Sequence, residues 1–227
     1  MKFKFSAVIA AALAASMLMT ACSSGDDESS SDSRSKSETS SSSEAEPTTF
    51  VEASMVADEN AVPASGAAPI LSASKAEGKP GETVEVTISV SGADQQWSMC
   101  GVHVTYDERL SCITNGDPKK PEYAKGAAVN EIEAFTSMLQ TGEDRNEYLI
   151  ENKMNSVFFA AVASADLGRD GEIVTYKFTI PEDAAAGTEY KIGFYYREGD
   201  MFLDTASDAA LQDYAFSHWQ EGSITVA

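Results

Sequence analysis

Residues 69–227 predict an all-β sandwich. Two observations carry that prediction: short runs in which apolar and polar residues alternate with period two, and the Gly, Pro, Asp and Glu clusters that punctuate them. A third sets the scale, since these 159 residues match one domain built around one core.

The elements follow in order. Residues 70–75 form a short first candidate strand. A Lys79-Pro-Gly-Glu turn then opens strict alternation, with Val84, Val86, Ile88 and Val90 on one face. Residues 97–106 alternate again and place Cys100, Val102, Val104 and Tyr106 on one side; residues 110–114 follow closely. Residues 157–163, 173–180 and 190–196 continue the pattern, and Gly222-Ser-Ile-Thr-Val closes the chain. Turn residues separate the runs at Gly92-Ala-Asp, Asp107-Glu, Gly168-Arg-Asp-Gly and Gly187-Thr. Two segments break the rhythm. Val129, Ile132, Phe135 or Thr136, and Leu139 recur at helical spacing, so residues 127–140 predict a helix inserted between strands. Residues 205–214 predict a second short helical turn, and both would cap the ends of the sandwich.

The N-terminal part reads differently. Lys2 and Lys4 precede an alanine-rich apolar run over residues 7–19, which ends in Met19-Thr20-Ala21-Cys22. That layout predicts a signal peptide over residues 1–21, its apolar run too short for a comfortable membrane span. A cysteine directly after small residues resembles the lipobox of bacterial lipoproteins, although Met19 stands where leucine is usual. The resemblance implies lipidation at Cys22 and a domain held to the membrane by its acyl chains, each buried methylene contributing about 0.8 kcal/mol. Residues 23–49 are almost entirely Ser, Thr, Asp and Glu, with no aromatic or β-branched aliphatic residue. Such a stretch has nothing to bury against its conformational entropy. Residues 22–68 are therefore expected to be a disordered tether, with an r.m.s. reach of roughly 35–40 Å.

Charge and motifs exclude several functions. The chain carries a formal charge of −20, and residues 69–227 alone hold 26 acidic against 12 basic side chains. Binding phosphates wants the opposite sign, so a nucleic-acid partner is not expected. No Gly-x-Ser-x-Gly elbow, His-Glu-x-x-His, glycine-rich phosphate loop or paired-cysteine zinc spacing occurs. The chain therefore does not read as an enzyme. The run Asp166-Leu-Gly-Arg-Asp-Gly-Glu offers carboxylates to a calcium ion but lacks the ligand density of an EF-hand loop, and it reads better as a solvated hairpin turn. Cys100 and Cys112 both fall on inward positions; they either pair across the core or stay as two buried thiols.

The order of motifs carries a resemblance. The Pro-Gly-Glu strand opening is followed by Ser98-Met-Cys-Gly-Val-His-Val-Thr-Tyr-Asp-Glu-Arg-Leu, then Val157-Phe-Phe-Ala-Ala. Asp170-Gly-Glu-Ile-Val-Thr-Tyr-Lys-Phe-Thr-Ile, Gly187-Thr-Glu-Tyr-Lys-Ile and the Gly-Ser-Ile-Thr-Val ending come after. This succession, spanning nearly all of residues 69–227, resembles the cohesin domains of cellulosome-type assemblies. The resemblance implies a nine-stranded jelly-roll sandwich whose flat sheet face binds a dockerin, a small helical module folded around calcium. The calcium would belong to that partner, and the chain itself would need no cofactor. It also implies a monomeric module displayed on the extracellular face of the cell membrane.

On the strands that the resemblance places in the binding face, alternation puts Met99, Gly101 and His103 outward. With Phe158 turned to the core, Phe159 and Ala161 point outward, as do Ile173, Thr175 and Lys177. Met201 and Leu203 are added from the strand bordering the last loop. Apolar residues on a nominally solvent-facing sheet mark an interaction site. The alternative is a carbohydrate-binding module on a similar jelly-roll, for which Trp97 and Trp219 supply no obvious aromatic row.

Overall fold

The computed structural model describes residues 58–227. The signal peptide, Cys22 and the tether as far as residue 57 lie outside them.

Among the described residues, thirteen strand segments form two sheets packed face to face, a β-sandwich. The first sheet contains β1 (Ile70–Ala73), β3 (Thr83–Ser91), β5 (Ser111–Cys112), β6 (Tyr123–Lys125), β9 (Gly171–Thr179) and β12 (Trp219–Gln220). Its order is β12-β1-β3-β9-β5, with β6 also pairing β9. The second contains β2 (Lys75–Gly78), β4 (Met99–Asp107), β7 (Ala134–Gln140), β8 (Met154–Val162), β10 (Glu189–Tyr195), β11 (Met201–Leu203) and β13 (Gly222–Val226). Its order is β2-β13-β10-β4-β8-β7, with β11 pairing β4. Nine of the thirteen have four or more residues; β5, β6, β11 and β12 are short additions.

The run read as one strand over residues 70–75 is two. The chain leaves the first sheet at Ser74 and joins the second as β2, parallel to β13, while β1 runs parallel to β12. Ser74 holds the crossing: its N–H donates to Thr87 O and its Oγ accepts from Thr87 N, both at 2.9 Å. Gly222 sits against this crossing, where a Cβ would collide with the Ser74 carbonyl.

Between the sheets lie Val84, Val86, Ile88 and Val90 from β3 and Cys100, Val102, Val104 and Tyr106 from β4, as alternation predicts, all buried. Aromatic pairs fill the space, among them Trp97 on Phe202 (5.4 Å between centroids) and Tyr106 on Phe178 (5.0 Å). Full burial of such side chains stabilises by about 1.5–3 kcal/mol each. One hydrogen bond crosses the core, between Ser137 Oγ and Tyr176 Oη at 2.8 Å. Cys100 and Cys112 are unpaired, and burial pushes both thiols up to about 12.

The predicted helix over residues 127–140 is instead a 3₁₀ turn, Ala127–Val129, followed by the edge strand β7. Val129, Ile132 and Leu139 are buried as the spacing suggested, but a turn followed by a strand buries the same positions. From Ala134 onward β7 pairs residue for residue with β8, and that ladder decides the conformation. The second helical segment exists as α2 (Ala209–Ser217), a few residues later than predicted and capped by Asp208. A short helix α1 (Glu147–Glu151), with Asn146 as its N-cap, has no counterpart in the sequence reading.

Asp166 and Asp170 tie loops together, Asp166 half-buried and Asp170 still exposed. The Asp166 carboxylate accepts from Thr205 N and Oγ1; that of Asp170 accepts from Gly92 N and Ala93 N. The last residues expected in the tether also touch the domain. Ala64 N donates to Asp208, Ala68 N donates to Gly92 O, and Ala67 is buried.

Candidate protein-binding face

The outer surface of the second sheet gathers apolar side chains in rows across its strands. Register aligns Leu203, Met99, Val162 and Ala134 in one row, and Met201, Gly101, Ala160 and Thr136 in the next. A third row holds Tyr195, His103, Phe158 and Met138. Met138 is 52% exposed and Val162 41%; Phe158, Met99, Met201 and Leu203 are half-buried. Gly101 keeps the centre low, and the Phe158 ring and Met201 side chain lean over it. The three rows are largely apolar and partly exposed, the character of a protein interaction surface.

A fourth row, Gly193, Thr105, Ser156 and Gln140, ends under polar contacts from the α1 side. Asn146 Nδ2 donates to Tyr195 Oη at 3.1 Å, and Ser156 Oγ donates to Gln140 Oε1 at 2.9 Å. Tyr148 of α1 stacks on Tyr195 at 5.2 Å between centroids. Burial raises the Tyr195 phenol above its ordinary range, so it stays neutral.

His103 lies at the bottom of the third row, 5% exposed. Its Nδ1–H donates to both carboxylate oxygens of Asp200, at 2.8 and 3.0 Å, and Arg197 N donates to the same carboxylate at 3.0 Å. Its ring packs between Phe158 and Tyr195, at 4.7 and 5.2 Å.

Five of the residues singled out from sequence therefore share one face: Met99, Gly101, His103, Met201 and Leu203. The other five do not join them. Phe159 and Ala161 point into the core and are fully buried, so the phase assigned to this strand is off by one residue. Phe158, Ala160 and Val162 take the outward positions. The run Val157-Phe-Phe-Ala-Ala-Val is apolar at every position, which leaves period two without a phase. Thr175 and Lys177 do point outward, but β9 belongs to the first sheet, on the opposite side of the sandwich. Ile173 is the extra residue of a β-bulge: Ile88 pairs Val174 and Ser89 pairs Glu172, which leaves Ile173 unpaired and fully buried. Met138 was missed because its strand was read as a helix. The exposed methionine of an alternating Thr136, Met138, Gln140 series was the available signal.

Trp97 is fully buried, and Trp219 is half-buried with one ring face stacked on Phe194 at 5.5 Å. Among the described residues, no group of three or more His, Cys, Asp and Glu side chains is placed to hold a metal ion.

Comparison with known proteins adds the family. The family model described as "Cohesin domain" matches residues 70–199. The fold is similar to the type III cohesin module of the cellulosomal ScaE cell-surface anchoring scaffoldin of Ruminococcus flavefaciens. That match has a TM-score of 0.62 at 23% identity, over 79% of this chain and 97% of that one. The sixth cohesin of Acetivibrio cellulolyticus scaffoldin B, solved with a Cel5 dockerin mutant, gives 0.51 at 20% identity, over 70% and 99%. The OlpA cohesin of Clostridium thermocellum, solved with the dockerin Doc918, gives 0.50 at 15% identity, again over 70% and 99%. At such identities the likeness is one of fold. No curated protein matches the chain.

Proposed function

Because the chain belongs to the cohesin family, we propose that it is a non-catalytic anchoring module whose second-sheet face captures a dockerin carried by a secreted enzyme or scaffoldin. One observation carries the reading: the partly exposed apolar face formed by Met99, Phe158, Val162, Met138, Met201 and Leu203. Methionine and aromatic side chains suit a helix-packing surface, because they supply large contact area and adapt to the shape laid on them. The calcium belongs to the dockerin, and the chain acts as a monomer. The lipobox-like sequence ending at Cys22 supports a lipid anchor, with residues after it as a tether. On this reading a single module holds its cargo at the extracellular face of the membrane.

The test is calorimetric titration of the purified chain against the dockerins encoded in the same genome, with calcium and again with EDTA. One-to-one binding that disappears with EDTA is expected. Silence across the whole panel would overturn the reading.

A further inference from the structure

The binding face is not uniformly apolar. At the end of the third row a cavity of about 280 Å³ opens between Met138, Phe158, Gln140 and His103 on one side and the loop over residues 197–200 on the other. Its base is polar, and its chemistry is fixed by one contact. The Asp200 carboxylate can only accept, so the proton of His103 sits on Nδ1 and points at Asp200. Nε2, the other ring nitrogen, has no hydrogen-bond partner among the described residues, although the side chain is only 6% exposed. In the neutral ring it is a bare acceptor.

The surroundings are also mainly acceptors. Glu198 is exposed at the rim, Gln140 Oε1 already accepts from Ser156 and Tyr195, and Asp200 lies at the base. Among the described residues the lining holds one cation, Arg197, and two carboxylates, Glu198 and Asp200. Tyr195 from β10 is held neutral, and β7 and β8 contribute only the uncharged Met138, Gln140 and Phe158. Met138 and Phe158 form walls that suit an aliphatic stem, and an aromatic face attracts a cation.

We propose that this cavity is the specificity pocket of the face, receiving one basic side chain, arginine or lysine, from the dockerin. The stem lies between Met138 and Phe158, the cationic head donates to His103 Nε2, and Glu198 closes the pair at the rim. The assignment rests on the dockerin reading above, and the net charge of −20 favours a basic contact in the same direction.

The pocket is testable without a dockerin. The probes are N-acetyl-arginine amide, N-acetyl-lysine amide and N-acetyl-norleucine amide, titrated into the ¹⁵N-labelled chain while the His103 ring signals are followed. The expected result is saturable binding of the basic probes at least about tenfold tighter than norleucine. Glu198→Gln, on an exposed loop, should weaken the basic probes about fivefold and leave norleucine unchanged. Norleucine binding as tightly as arginine, or no saturable shift with any probe, would overturn the proposal. Probe binding together with a silent dockerin panel would instead sink the anchoring function and leave the pocket standing.

Discussion

Replacing Phe158 by aspartate puts a carboxylate into the middle of the third row, between His103 and Met138. If the face is the dockerin surface, that change should cost about 2 kcal/mol or more of binding, roughly 30-fold or greater, because central aromatic anchors carry most interface energy. Lys177→Asp is the matched control. It lies on the other sheet, where its ammonium is paired with Glu122, and dockerin affinity should stay within about twofold. Titration calorimetry of both variants, with circular dichroism to confirm the fold, separates the two surfaces. The neighbouring Phe159 cannot serve this purpose: it is fully buried, and a charge there would attack the core. Two adjacent phenylalanines thus have opposite roles, and nothing in the run from Val157 to Val162 distinguishes them. The binding face makes both sides of β8 apolar, and so it erases the alternation that would have revealed it.

At the scale of the element, β7 and α1 are the pieces that the sequence read poorly, and they border the site. The spacing of Val129, Ile132 and Leu139 fits a helix as well as it fits a turn and a strand, since all three positions are buried in either case. What selects the strand is the open edge of β8, whose backbone groups need a partner. For α1 the local signal is brief, five residues opened by Asn146, too short for periodicity to register. Asn146 does two things: its Oδ1 accepts from Leu149 N at 2.9 Å, and its Nδ2 donates to Tyr195 Oη. Asn146→Ala should lower stability by about 1 kcal/mol, the usual worth of an N-cap. That corresponds to a melting point lower by roughly 2–4 °C for a domain of this size. Asn146→Asp restores the cap without the donor to Tyr195 and should recover most of the loss in a thermal melt.

At the scale of the whole molecule, the two sheets close over a core that holds Cys100 fully buried, with Cys112 packed at its margin. Only a thiolate reacts with disulfide reagents, and burial pushes both thiols up to about 12. At about pH 8 the native protein should therefore leave Cys100 unreacted toward Ellman's reagent, with reaction appearing only as denaturant unfolds the sandwich. Rapid reaction of Cys100 in the folded state would show that the sheets separate locally. The thiol thus reports opening of the entire core.

The sequence by itself determined the sandwich, since alternation in β3, β4 and β9 and the turns between them reflect local sterics and one-sided burial. It determined too that Met99, Gly101 and His103 point the same way, because β4 has an unambiguous polar and apolar side; that Met201 and Leu203 lie beside them follows from the pairing of β11 with β4. Only the tertiary structure decided which strands share a sheet, placing β9 with Thr175 and Lys177 behind the domain and β7 with Met138 beside β8. Strand pairing is a long-range choice made by edges and packing, and residue spacing within one strand carries no record of its neighbour. The contact between His103 and Asp200, 97 residues apart, belongs to the same class. It exists because β11 pairs with β4 and the preceding loop turns back over the face, a juxtaposition that no local pattern encodes.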